Sequence, residues 1–375
     1  MKQFSKKILS VMTALLMLLP FFCFSTSLYA EDPGLPAAVK SGIWDGSIAD
    51  AFAGGDGTQS SPYLISNGAE LAYLSTQVNS GNNFSDVYFK LTDNICLNDI
   101  SSWEDWGNTD DAGNTIAPSN TWTAIGFYSL DWNTGVETKN FFSGYFDGSG
   151  KTISGVYINK SPDDFDNSNH LGLFGYINGT IENLKVESSF IRGCQNIGAI
   201  AGWSEGTLIG CSSVSKVFGS CCGGVAGWND GIIEECSNNH DIDGMSNVGG
   251  VVGYCLNQSK VKNCSNIADI SGDDAAGGVI GNNCGYMAGC INHGNINAAG
   301  NAGGITGFNE GSVYACTNDG TINGDNCTGG IAGMNYGGIT DCVNSGNITG
   351  NTNAGGICGT NSSDVSICRR YVRCL

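Results

Sequence analysis

Cysteine recurs seven times at almost one interval. Cys211, Cys236, Cys264, Cys290, Cys316, Cys342 and Cys368 lie 25 to 28 residues apart. A Gly-Gly-like pair keeps the same beat, starting at Leu171, Gly198, Gly223, Gly249, Gly277, Gly303, Gly329 and Gly355. Two places on stands a branched apolar residue: Leu173, Ile200, Val225, Val251, Val279, Ile305, Ile331 and Ile357. Two after the cysteine comes asparagine in five successive copies, Asn238, Asn266, Asn292, Asn318 and Asn344. Six after it come Val217, Ile242, Ile270, Ile296, Ile322 and Ile348.

A unit this short cannot bury its own apolar face, but stacked copies can. A helical repeat would show i, i+3, i+4 runs and little glycine. Here short apolar segments are separated by Gly and Asn, and 57 of the 375 residues are glycine. The pattern predicts an all-β chain: a right-handed parallel β-helix of ~26-residue rungs, with three short strands per turn. Each conserved column becomes a ladder stepping ~4.8 Å per rung. Glycine is expected to supply positive φ at corners and close backbone approach. Asparagine has two readings: an amide ladder bonded rung to rung, or simple turn propensity.

The cysteine column also has two readings. Equivalent Cα atoms ~4.8 Å apart fall inside disulfide range, yet their Cβ vectors run parallel, which leaves the β-carbons too far apart for an easy bridge. The first copy has Leu184 in the same slot, so the site is apolar and suits cysteine as a small buried hydrophobe. A reduced packing ladder is expected, with adjacent-rung disulfides as the alternative. Zinc-type Cys-x-x-Cys spacing is absent and no metal is assigned. Of the cysteines outside the column, Cys255 and Cys284 sit just after the Gly pairs of neighbouring copies and are the best disulfide candidates.

A second column is aromatic. Five residues after the Gly-pair start lie Tyr176, Trp203, Trp228, Tyr254 and Phe308. Stacked rings of this kind form either a flat platform for sugars or a partner protein, or a corner of the coil packed on itself.

The first thirty residues read as a secretory signal: Lys2, Lys6 and Lys7, then an apolar run, then Ala30 at the cut. Only 13 of the 16 basic residues follow it, against all 35 acidic ones, so the remainder carries −22. That excludes nucleic acid as a natural partner and disfavours anionic membranes and acidic glycans. No membrane insertion is expected after cleavage, and the expected state is a secreted, extracellular or cell-surface monomer.

Residues 31–170 have a different texture. Within 52–81, Asn67 and Glu70 have capping-box spacing, and Leu71, Leu74 and Val78 share one helical face. One short helix should cap the open end of the coil. Here the sequence resembles the GLUG-repeat family of bacterial surface and secreted proteins. The segments that carry the resemblance are "GDGTQSSPYLIS", "AELAYLS", "YFKLTDNI", "WTAIG", "FSGYFDGSGKTISGVYIN", "GLFGYINGTIENL" and "GGIAGMNYGGITDCVNSGNITG". The resemblance implies a pectin-lyase-like β-helix, with GLUG-type repeats over 171–368, on exported proteins that are often adhesins and sometimes carry an IgA-cleaving peptidase. That peptidase would need His-Glu-x-x-His, and His170, His240 and His293 do not supply it.

No catalytic residues are assigned. A polysaccharide lyase or hydrolase would need calcium-binding carboxylates beside a basic residue; "NTDD" at 108–111 has its aspartates adjacent and reads as a solvated loop. The oxygen-rich stretches 131–137 and 163–169 lack a full calcium pattern. No cofactor is implied. The basic segment 369–375 breaks the repeat and suggests a truncated or frameshifted reading frame. The functional expectation is a non-catalytic module for adhesion or surface display, binding a host or cell-wall glycan or a surface protein on one face. The alternatives are an accessory fragment of a larger exported peptidase or a polysaccharide-degrading enzyme.

Overall fold

The computed structural model describes residues 42–131, 134–164 and 168–370. The signal segment and residues 371–375 lie outside them, as do parts of both oxygen-rich stretches. The chain is a parallel β-solenoid. One sheet of eleven strands runs from Tyr63–Ile65 to Val365–Ser366. A second, of eight strands, runs from Phe174–Ile177 to Cys358–Asn361. Every pairing between rungs is parallel; the hairpin of Phe127–Asp131 with Val136–Asn140 is antiparallel and packs through Tyr128 on His170 and Trp203.

Each rung holds more pieces than the three expected. The copy beginning at Gly303 contains Thr306–Asn309, Ser312–Tyr314, Thr317–Asn318, Ile322–Gly324 and Cys327–Gly329. The extra pieces arise because a 26-residue loop closing on itself must turn at several corners, and each corner cuts a strand short. Two rungs keep a long segment instead, Lys185–Gly198 and Ser212–Gly223, which pair side by side.

The predicted columns align in register. Asn238, Asn266, Asn292, Asn318 and Asn344 are direct partners down the axis. Leu173, Ile200, Val225, Val251, Val279, Ile305 and Ile331 are fully buried. One continuous core runs from Ile65 to Cys342, so the segment before the repeats shares it.

Glycine works differently from expectation. The left-handed corner present in every rung lies one residue before each cysteine slot, where Asn183, Gly210, Glu235, Asn263, Gly289, Ala315, Asp341 and Ile367 all have φ between 52° and 66°; four rungs add a second just before the Gly pair, at His170, Asn196, Cys221 and Asn247. The Gly pair is required by crowding. A Cβ on Gly304 would lie 2.3 Å from the Gly330 carbonyl oxygen and 2.4 Å from Cγ of Asn318.

The expected helix is α1, Gly68–Asn79. Asn67 Oδ1 accepts from the Glu70 backbone N–H at 3.1 Å, and Glu70 reaches back to the Ser66 N–H at 2.6 Å. Leu71, Leu74 and Val78 enter the core beside Ile65 and Phe89. Asn79 fixes the far end, donating to the Ala124 carbonyl at 3.0 Å and accepting from the Gly126 N–H at 2.8 Å.

Candidate binding face

The outer surface of the eight-stranded sheet carries the aromatic column. Tyr176 pairs with Trp203, Trp203 with Trp228, and Trp228 with Tyr254. Identical register puts each ring over the next. Tyr176 and Trp203 stack with centroids 5.1 Å apart and planes 24° apart; Trp228 and Tyr254 stack at 4.4 Å and 18°. Between the pairs the two indoles tilt, at 6.1 Å and 50°. Asn282 then breaks the column, and Phe308 beyond it packs on Tyr336 at 5.5 Å instead.

Exposure divides these residues. Tyr176 is buried, with Phe141 at 5.4 Å, and the hairpin brings Tyr128 to 5.7 Å from Trp203. Trp203, Trp228, Tyr254 and Phe308 are half-buried. Both indole N–H groups are buried without an acceptor, so stacking alone orients these rings. The column is therefore a packed corner at Tyr176 and half-exposed from Trp203 to Tyr254, with Trp203 also held by Tyr128 and His170.

Carboxylates rim the platform. Burial, then the Glu205 carboxylate, pushes the Tyr176 phenol up, with Asp230 adding to it. The Tyr254 hydroxyl meets Cys284 Sγ at 3.5 Å, and that thiol contacts Glu310 at 3.5 Å. Beside the hairpin lies a cavity of about 370 Å³ lined by Tyr128, Lys160 and His170 among others. Burial holds His170 down at about 4, and its Nδ1 lies 3.1 Å from the Asn196 amide.

The cysteines resolve as the packing ladder. Cys211, Cys236, Cys264, Cys290, Cys316 and Cys342 are buried and Cys368 is half-buried; none of the described cysteines is bridged. Each ladder thiol faces the carbonyl two residues back, at 3.2 to 3.5 Å. A neighbouring thiol and then burial push Cys316 and Cys342 up. The Cys255–Cys284 bridge is not formed. Cys255 is the register partner of Asn283, not of Cys284, so strand alternation turns the two thiols to opposite faces. Cys255 points inward, where burial pushes it up to about 12; Cys284 points to the rim.

The asparagine column is a true amide ladder as well as a turn former. Asn266 Nδ2 donates to Asn292 Oδ1 at 2.8 Å and to the Ala268 carbonyl at 2.7 Å. A second ladder escaped the sequence reading: Asn283, Asn309, Asn335 and Asn361 are linked at 2.7 to 2.8 Å. Asn229 belongs to the same column, but Cys255 interrupts it. The stretch 108–111 is a loop in which Asp110 accepts from the Ala112 and Asn114 backbones. Among the described residues no group of His, Cys, Asp and Glu is arranged to hold a metal ion, and no helix is long and apolar enough to cross a membrane.

No family profile matches the chain. It is 28% identical over 180 residues to Halomucin of Haloquadratum walsbyi, covering 47% of this chain and 2% of that protein. It is 29% identical over 145 residues to a "Putative Gly-rich membrane protein" of Evansella cellulosilytica, covering 38% of this chain and 13% of that one. The chain thus matches only a small part of either relative. Among solved structures, a "putative immunoglobulin A1 protease" from Bacteroides ovatus aligns at 17% identity and a TM-score of 0.46, over 84% of this chain and 86% of that one.

Proposed function

We propose that the chain is a non-catalytic module of an exported surface protein, of GLUG-repeat type, that binds neutral glycan on the Trp203–Trp228–Tyr254 platform. The observation that carries this reading is the half-exposed stack of rings on consecutive rungs, rimmed by Glu205, Asp230 and Glu310. The stacked rings cover one another's faces, so their outward edges offer apolar contact to the C–H groups of sugars, and carboxylates accept hydrogen bonds from sugar hydroxyls. The same carboxylates repel an anionic polymer at this face. A relative named Halomucin and another named as a membrane protein support a place at the cell surface.

The test is retention on an array of neutral oligosaccharides, with Trp203→Ala and Trp228→Ala combined. Each ring contributes on the order of 1 kcal/mol, so the double change should abolish retention while the β-type circular dichroism persists. Loss of folding together with binding would show that the rings are core, and the platform reading would fall.

A further inference from the structure

Among the described residues, Arg192 has no carboxylate partner. Arg192 is the sole arginine between the signal and the terminal segment. Its guanidinium lies 5.3 Å over the Phe218 ring, its register partner on the next rung, and its Nε is buried without an acceptor. By contrast Lys90, Lys139, Lys185 and Lys216 each meet a carboxylate.

Arg192 opens into a cleft of about 380 Å³ on the side of the coil. The long paired strands build it. Ile191 and Val217 point inward, so Phe190, Arg192, Lys216 and Phe218 alternate outward. The next rung repeats the pattern: Ile242 is buried and Asp241 and Asp243 flank it, exposed. Trp106 closes one wall, edge-on to Tyr157 at 5.6 Å. Glu104 bridges the rim, with carboxylate oxygens 3.5 Å from both Lys216 Nζ and His240 Nε2.

The cleft therefore has a cationic end at Arg192, aromatic walls, and acceptors at Asp241 and Asp243. We propose that it is a second carbohydrate subsite that takes an acidic sugar, with the sugar carboxylate on Arg192 and ring hydroxyls on Asp241 and Asp243. The net charge of −22 on the residues that follow the first thirty does not forbid this. Exposed charges are screened beyond roughly 8–10 Å, so the groups lining the cleft decide. A planar guanidinium binds a carboxylate in two-pronged fashion, which a remote negative field does not undo.

The experiment is isothermal titration of the secreted chain with a trigalacturonate, and with the neutral trigalactoside as comparison. Wild type should bind the acidic trisaccharide, more weakly as salt is raised, and the neutral one should not compete. Arg192→Met keeps the apolar stem against Phe218 and should weaken binding roughly tenfold or more. Trp203→Ala with Trp228→Ala should leave this binding intact, which separates the cleft from the platform. If Arg192→Met fails to fold, Asp243→Asn, at an exposed position, should still weaken binding. Absence of binding in wild type, unchanged affinity in Arg192→Met or Asp243→Asn, or displacement by inorganic phosphate as effective as by the sugar would each overturn the proposal.

Discussion

Asn318 receives the side-chain amide of Asn292 at 2.8 Å and passes its own to Asn344 at 2.8 Å, all three being fully buried. Asn318→Ala therefore removes one of two acceptors from the Asn292 amide, one donor from Asn344 Oδ1, which keeps the Gly346 N–H, and the side-chain donor to the Gly320 carbonyl. Losing buried hydrogen bonds of this kind costs about 1–3 kcal/mol, to be read in urea unfolding. Asn323, which donates to Asn297 at 3.0 Å on the exposed side, is the control. Asn323→Ala should change stability by less than about 0.5 kcal/mol. Equal effects at the two sites would mean that the inner ladder is incidental.

Thiol accessibility follows the ladder. In the folded protein a thiol reagent should modify Cys221, Cys284, Cys358 and Cys368, the partly exposed cysteines among the described residues. Cys211, Cys236, Cys264, Cys290, Cys316 and Cys342 should react only after unfolding without reductant. Cys290→Leu should overpack the column and cost roughly 1–3 kcal/mol, with Cys290→Ala milder. Mass spectrometry showing a Cys290–Cys316 bridge would replace packing by covalent stapling.

His170 sets an acid limit. Its ordinary value is 6.5 and burial holds it near 4, so the folded state resists a proton that the unfolded chain accepts. Stability is unaffected above 6.5, falls as pH drops through the window to 4, and levels off below it, with a total loss of about 3 kcal/mol. His170 has φ +56°, a conformation that asparagine tolerates. His170→Asn should remove this part of the acid dependence, read as the unfolding midpoint across the window. A wild-type curve flat through the window would refute it.

Ala315 occupies the left-handed corner at φ +52°, where Gly289 stands one rung earlier at +66°. The conformation costs an L-residue roughly 1–2 kcal/mol. Ala315→Gly should raise the thermal midpoint, by about 1 kcal/mol in stability. Gly289→Ala should lower it by more, because the new Cβ would also sit 2.6 Å from Asn263 Oδ1.

What the sequence disclosed follows from what repeats chemically. Cys290, Asn292 and Ile296 were legible because each stacks on a like residue and cannot vary freely. The left-handed corner was not: Glu235, Asn263, Ala315, Asp341 and Ile367 share a backbone angle and no side-chain chemistry. The second amide ladder was hidden by Cys255, which breaks the run between Asn229 and Asn283. The Arg192 cleft was invisible for another reason. Trp106 and Glu104 come from the segment before the repeats, and no periodicity links them to Phe218 or Asp243.

The thiol column also keeps time. Each ladder cysteine is shut away only when its own rung has closed and a neighbour has been laid beside it. During refolding, the instant at which a given thiol stops reacting is the instant its coil is sealed. Six nearly equivalent positions, from Cys211 to Cys342, make the order of sealing a readable sequence of events: from one end, from both, or outward from the middle.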